Sequence, residues 1–209
     1  MGETLTETEI KLWVDDVQPV RVRLEAAGAE MTADRVFERN IRYDDVDGSL
    51  TTAGAVLRLR YDTRARLTYK GPGEISGGVI SRFEAEVEVS DFDIMNLILT
   101  HLEYRQVFAY DKYRTSYRFA GCAVTLDELP YGQFVEIEGD RDTIETCRRR
   151  LELLTARPVP HSYAGAFDLV RQNMDLPFAD ATFEAFSGLV LSPHIGDWLT
   201  EGGDHDAAK

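Results

Sequence analysis

The pattern of hydrophobic periodicities predicts an α+β fold built on an antiparallel sheet. Three observations carry this. Segments of period two outnumber segments of helical period, in the order β, α, several β, α, several β, α, α. The strand segments come in hairpin-like pairs, without the long crossovers that a parallel sheet requires. Each main helix segment carries an apolar stripe that needs a surface to cover.

Residues 4–14 alternate, with Glu7, Glu9 and Lys11 on one parity and Thr8, Ile10 and Leu12 on the other, which is the period of a strand. Residues 17–30 change period. Val20, Leu24 and Ala27 share a helical face there, and Gly28 is a helix stop. Residues 35–43 read as a strand that runs into the turn signal Asp44-Asp45-Val46-Asp47-Gly48. Residues 55–62 and 64–70 are the next strands, and Gly71-Pro72-Gly73 is expected to break the chain. In residues 81–89, Phe83, Ala85, Val87 and Val89 alternate with Arg82, Glu84, Glu86 and Glu88.

Asp91 is placed to cap a helix whose stripe is Ile94, Leu97, Ile98 and Leu102. Residues 107–119, 123–129 and 132–139 read as strands. Residues 142–154 form a helix with Ile144, Leu151 and Leu154 on its apolar side, and Ser162 caps another helix reaching Asn173. Beyond Pro177 the pattern weakens. Residues 182–191 are expected to pack down, and residues 200–209 to form a loose tail. The expected division is one domain over residues 1–175 and a C-terminal extension over 176–209, partly disordered.

The bulk numbers narrow the class of function. With 209 residues, 44% of them hydrophobic, the chain can bury a core. A formal net charge of −14 argues against general binding to nucleic acid or anionic membrane. A small anionic substrate stays possible where a local basic cluster or a metal reverses the field. Cys122 and Cys147 have no second Cys or His at metal-ligand spacing. Two free thiols are expected, with one disulfide as the alternative. No apolar run has the length of a membrane span, so a cytoplasmic protein is expected.

The chemistry lies in the sum of the strands. On the charged parity stand the bases Lys11, Arg58, Arg60, Lys70, Arg82, Lys112 and Arg114. On the same parity stand the acids Glu7, Glu9, Glu84, Glu86, Glu88, Asp127, Glu136 and Glu138. For one strand alone, a solvated face explains such alternation. If the strands close into a barrel, one parity must point inward. Either the apolar side fills the barrel, or the charged side lines it and helices cover the outside. A charged interior is costly unless it holds something. Clustered bases suit phosphate oxygens, and clustered carboxylates suit a hard divalent ion. A polyphosphate with its metal needs both.

Glu7-Thr8-Glu9-Ile10-Lys11 resembles the Glu-x-Glu-x-Lys signature of the CYTH superfamily, the triphosphate tunnel metalloenzymes. The five residues alone are a weak signal, but the order of the motifs further along the chain strengthens it. Leu57-Arg58-Leu59-Arg60, Tyr69-Lys70-Gly71-Pro72, Arg82-Phe83-Glu84-Ala85-Glu86 and Lys112-Tyr113-Arg114 are similar to family elements. So are Leu126-Asp127, the run from Gly132 to Glu138, and Ser162-Tyr163, all in family order over residues 4–173. The resemblance implies a closed eight-stranded antiparallel β-barrel forming a tunnel, with helices packed outside. It implies that Lys11, Arg58, Arg60, Lys70, Arg82, Lys112 and Arg114 hold the triphosphate. It implies Mg²⁺ or Mn²⁺ as cofactor, with Glu7, Glu9, Glu136 and Glu138 as ligands and Asp127, Glu84 and Glu86 as further candidates. Lys11, Glu136 and Glu138 are the residues assigned to catalysis. One departure stands out. Members often read Gln-x-Asp-x-Tyr-Phe after the first helix, where this chain has Glu38-Arg39-Asn40-Ile41-Arg42-Tyr43.

The resemblance leaves three functions open. A metal-dependent triphosphate phosphohydrolase, acting on tripolyphosphate or an organic triphosphate such as thiamine triphosphate, stands first because the acids Glu136, Glu138, Glu84 and Glu86 are plentiful. A class IV adenylyl cyclase, making cyclic AMP and pyrophosphate from ATP, stands second. A non-catalytic polyphosphate-binding module stands third. The partner expected is a small-molecule triphosphate, with a homodimer as a further possibility.

Overall fold

The computed structural model describes residues 6–200. Eight strands follow the chain: β1 (Thr6–Val14), β2 (Glu30–Asp44), β3 (Val56–Tyr61), β4 (Ala65–Ser76), β5 (Val79–Val89), β6 (Arg105–Phe119), β7 (Cys122–Leu129) and β8 (Gly132–Glu138). They close into a barrel in the order β1-β5-β4-β3-β2-β6-β7-β8, and β8 pairs back onto β1. Every neighbouring pair is antiparallel. Among the described residues, no helix is long and apolar enough to cross a membrane.

Closure decides which parity is inside. Lys11 registers with Glu136, Glu7 with Arg82, Lys70 with Glu84, Glu38 with Lys112 and Arg114 with Asp127. These charged residues are on the inner parity. The opposite parity is apolar, and it is buried from outside. Ile10, Leu12, Val124, Leu126, Val135 and Ile137 form one core with Val20 and Leu24 of α1 (Gln18–Ala26) and Ile144 and Cys147 of α4 (Arg141–Arg150). Each such side chain contributes roughly 1.5–3 kcal/mol by leaving water. Cys122 and Cys147 sit in this layer as free thiols, and burial pushes Cys147 up to about 12.

The helix α5 (Tyr163–Met174) covers one end of the barrel. Ser162 caps it by accepting from the Gly165 amide. Its Tyr163, Ala166, Phe167 and Val170 pack on Phe108, Tyr110, Tyr131 and Phe134. Trp13 meets Phe134 edge-on, with ring centroids 5.4 Å apart. The Trp13 ring lies so close to Gly132 and Gly196 that a Cβ at either would fall within 2.5 Å of it. Residues 176–200 join the same cluster through Ala181, Phe186, Ile195 and Leu199, the last two on α6 (Ile195–Thr200). Ala181 bridges Tyr110 and exchanges backbone bonds with Ala109 and Asp111, on the stretch of β6 that β7 does not reach. The weak pattern after Pro177 is therefore no break in packing. The tail expected to be disordered falls on 201–209, outside the described residues.

Three elements differ from the sequence reading. β4 runs through Gly71-Pro72-Gly73, with a register shift between Lys70 and Gly73. A bulge accommodates a proline that has no N–H to give to the ladder. The turn comes later, at Gly77-Gly78, whose φ values of 60° and 78° suit a two-residue hairpin. A short helix, α2 (Ser49–Thr52), follows the Asp44–Gly48 turn, with Asp44 accepting from the amides of Leu50 and Thr51.

The third difference is in α3 (Phe92–His101). Asp91 caps it as expected. However, Ile94, Leu97, Ile98 and Leu102 are exposed, while Leu99 is buried against Ile41, Tyr43 and Leu59, with Phe92 and Met95 packed alongside. A helix this apolar on several sides does not choose its own buried face. The docking surface on β2 and β3 chooses it.

Candidate active site

The barrel encloses a cavity of about 410 Å³. Its lining includes Glu7, Glu9, Lys11, Arg58, Arg60, Lys70, Arg82, Glu84, Glu86, Lys112, Arg114, Glu136 and Glu138. Period-two alternation puts each strand's set on one face, and the register brings the sets opposite one another.

On the β1–β5 side the carboxylates are crowded. The Glu7 Oε2 accepts from Lys70 Nζ at 2.6 Å and from Arg82 Nε at 3.3 Å. Arg82 also donates to Glu9 at 3.0 Å, and Lys70 stands 2.9 Å from Glu84. Burial and a hydrogen bond with Glu84 raise the Glu7 carboxyl above its ordinary value. Burial would raise Glu84 as well, but the Glu7 hydrogen bond and Lys70 bring it down. Glu138 stands at the rim. Its partial enclosure, followed by the like charges of Glu7, Glu9 and Glu84, pushes it up to about 7.

Toward α5 the bases take over. Lys11 Nζ lies 3.3 Å from Glu136, donates to the His161 carbonyl at 3.2 Å, and sits 4.2 Å from the centre of the Tyr163 ring. Burial opposes ionisation of Glu136, but Lys11, Arg114 and Lys112 hold its carboxyl well below the usual range. On β3, Arg60 is 3.3 Å from Glu86 and 3.7 Å from Glu38. Arg58 is 3.7 Å from Glu86 and donates to Thr68 at 3.3 Å. Burial of Glu38 is outweighed by Lys112, Arg114 and Arg60, which bring its carboxyl down to about 2. The Nε atoms of Arg58 and Arg60 and the Thr125 Oγ1 are buried with no hydrogen-bond partner among the described residues. Such donors suit an oxygen-rich ligand.

Asp127 takes a different place from the one expected. It is fully buried and does not line the cavity. Arg114 Nε, Lys112 Nζ and the Tyr163 hydroxyl donate to it at 2.7, 2.9 and 2.7 Å. Held by these three donors behind the cavity wall, Asp127 anchors the bases.

Two charged walls facing each other across a closed β-barrel, with the Glu7-x-Glu9-x-Lys11 strand on the acid side, invite comparison with known folds. The family model for the CYTH domain matches residues 5–157. The chain belongs to the CYTH family. "Putative adenylate cyclase MJ0240" of Methanocaldococcus jannaschii is 29% identical over 150 residues, covering 71% of this chain and 85% of that protein. The PH1819 structure from Pyrococcus horikoshii superposes with a TM-score of 0.64 at 25% identity, over 77% of this chain and 97% of that one. "Putative adenylyl cyclase HpAC1" from Hippeastrum, described as having a dominant triphosphatase activity, superposes with a TM-score of 0.59 at 19% identity, over 80% and 96% of the two chains.

The CYTH tunnel of this chain also contains residues that the strand parity did not single out. Glu38, Asn40 and Arg42 of β2 face inward with Tyr110 of β6, and Arg42 and Tyr110 line the cavity. Their alternation was present in the sequence. It was blurred because Arg35 and Arg39 put charge on the outer parity of the same strand.

Proposed function

We propose that the chain is a metal-dependent triphosphate phosphohydrolase. The observation that carries this reading is the opposition of an acid wall and a basic wall across one tunnel. A triphosphate is long and polyanionic, so it needs bases from several strands at once, and β3, β4 and β6 supply them. The acids Glu7, Glu9, Glu84, Glu136 and Glu138 would hold Mg²⁺ or Mn²⁺. Their hard oxygens fit such an ion. So does the crowding of Glu7, Glu9 and Glu84 near Glu138, whose like charges add to burial in raising its carboxyl. Among the described residues no three acids converge as a ligand group, and Glu7, Glu9, Glu84 and Glu136 are each held by a base. Phosphate oxygens arriving in the tunnel would take over those bases and release the carboxylates.

A bound ion would polarise the phosphoryl oxygens and favour a hydroxide nucleophile. The chain's own groups supply the rest. Arg58, Arg60, Lys112 and Arg114 orient the phosphates and offset charge on the leaving group. Lys11, fixed by Glu136 and the His161 carbonyl, contributes a positioned cation. Glu138, on the acid wall beside Glu9, would accept the proton of the attacking water. The anhydride P–O bond then breaks, and its electron pair leaves on the departing phosphate.

Cyclisation of ATP is the second reading, favoured by the name of the Methanocaldococcus jannaschii relative. The triphosphatase activity named for the Hippeastrum protein leans the other way. Incubation with tripolyphosphate, ATP and thiamine triphosphate, each with Mg²⁺ or Mn²⁺, separates the readings by their products. Inorganic phosphate is the expected product. Cyclic AMP with pyrophosphate from ATP would replace the hydrolase by the cyclase. Tight tripolyphosphate binding without turnover under either metal would leave a binding module.

A further inference from the structure

The outside of the barrel is covered unevenly. Val20 and Leu24 of α1 and Ile144 and Cys147 of α4 seal one side, and α5 with residues 176–200 seals another. On β4 and β5 the outward parity sets Leu67 and Tyr69 opposite Val87 and Ala85, with Phe83 beyond them. None of these carries charge, and Tyr69, Phe83 and Val87 are exposed. The Tyr69 and Phe83 rings stand 6.3 Å apart and form an aromatic floor. The helix α3 borders this floor. Its Asn96 accepts from the Tyr43 hydroxyl and from Gln106, so that flank, which also bears Asp93 and Thr100, faces β2 and β6. The opposite flank bears Ile94 and Ile98, with Leu102 at the C-cap, and it turns toward β4 and β5. Leu67 belongs to the cluster that seats α3, so ridge and floor adjoin.

Tyr69, Phe83, Val87, Ile94, Ile98 and Leu102 are between 38% and 62% exposed. Side chains of this size present roughly 200 Å² each when free, so together these leave roughly 600 Å² of apolar surface in water. A contiguous apolar patch of that extent marks a site of association. A stable interface takes roughly 800 Å² from each partner, about 65% of it apolar in a homodimer. The patch therefore supplies the apolar share of one side of such an interface. Its shape points to a second copy. A two-fold axis places the α3 ridge of each copy on the aromatic floor of the other, so one surface is its own complement. Two copies with a net charge of −14 each repel one another, and association is favoured where the outward side chains carry no charge. Residues 1–5 and 201–209 bring only Met1 and Leu5 as large apolar side chains, too few to cover the patch.

We propose that α3 and the outer face of β4 and β5 form a homodimer interface, in which the Ile94-Ile98-Leu102 ridge of each protomer seats on the Tyr69-Phe83-Val87 floor of its partner. The inward side chains of the same two strands, Lys70, Arg82, Glu84 and Glu86, line the tunnel, so the interface lies directly behind that part of its wall. It holds whatever reaction the tunnel performs.

Sedimentation velocity over a concentration series tests it, on the full chain and on Val87→Glu, Ile98→Lys and Val190→Glu. Val190 is an exposed apolar residue outside the patch and serves as the control. Circular dichroism checks that the variants are folded. The wild type is expected to reach twice the chain mass, with a dissociation constant on the order of micromolar or tighter. Val87→Glu and Ile98→Lys should each weaken the dimer by about 100-fold or more, the scale of a residue at the centre of an interface. Val190→Glu should leave it unchanged. Mixing Val87→Glu with Ile98→Lys sets opposite charges against each other across the two-fold, and should restore a dimer that neither forms alone. A wild type that stays monomeric throughout the series would overturn the proposal. If that monomer floats with neutral phosphatidylcholine vesicles, the patch is a lipid-binding face instead. A dimer that survives both Val87→Glu and Ile98→Lys would place the interface elsewhere, and mixing without recovery would overturn the seating of ridge on floor.

Discussion

The wall formed by β8, β1 and β5 presents Glu136, Glu138, Glu7, Glu9, Glu84 and Glu86, with Lys11 and Arg82 among them. The wall formed by β3, β2 and β6 presents Arg58, Arg60, Arg42, Lys112 and Arg114, with Glu38 among them. The same alternation built both, and the two have opposite sign. The difference shows in the pKa values. Glu138 on the acid wall is raised to about 7, while Glu38 on the basic wall is lowered to about 2. Burial opposes ionisation of both; at Glu138 the like charges of Glu7, Glu9 and Glu84 add to it, while at Glu38 the surrounding bases together outweigh it. The acid wall is thus suited to a cation, the basic wall to a polyanion.

The strongest way to break this comparison is to neutralise one acid. Glu9→Gln is expected to lower turnover by roughly 10²–10³-fold, the scale of losing several kcal/mol of metal-assisted catalysis. Its metal-free affinity for tripolyphosphate should be retained. Steady-state kinetics beside calorimetry would show it, and unchanged turnover would remove Glu9 from the metal site. Next in size is the buried junction behind the basic wall. Lys112 and Asp127 are each almost wholly buried and 2.9 Å apart. Lys112→Met should cost about 3–5 kcal/mol in urea unfolding, because it takes a buried counter-ion from both Asp127 and Glu38.

The pH dependence sharpens the same contrast. Glu38 has a folded pKa near 2 against an ordinary value of 4.5. Its stabilisation is therefore fully present above about pH 4.5 and is lost as pH falls toward 2, a change on the order of 3 kcal/mol. The stability gap between wild type and Glu38→Gln should be widest near neutrality and close through that window. A gap independent of pH would mean that Glu38 does not carry the charge assigned to it. The smallest effect is expected where neither wall is involved. Glu88 pairs with Arg64 at 2.7 Å, both more than half exposed. Glu88→Gln should change stability by less than about 0.5 kcal/mol and leave turnover unchanged.

Much of this was legible in the strands with clean alternation. β1, β3, β5 and β8 show their charged faces directly, and the lining residues drawn from them meet in one cavity. β2 was not legible, because Arg35 and Arg39 face outward while Glu38, Asn40 and Arg42 face inward, so charge occurs on both parities. Asp127 was misplaced because its parity puts it on the inner face without showing how deep it lies. Lys112, Arg114 and Tyr163 close over it, and they come from β6 and α5. The exposed side of α3 was misread because its apolar residues surround much of the helix.

By itself the sequence determined the periods of the elements, the capping of α3 and α5 by Asp91 and Ser162, the stop at Gly28, and the order of motifs that mark the family. These depend on residues a few positions apart, and local sterics and hydrogen bonding settle them. Tertiary structure alone decided which parity became the interior and which base meets which acid. Periodicity says which residues share a face. The charges that confront that face come from strands far away along the chain, and register and closure choose them.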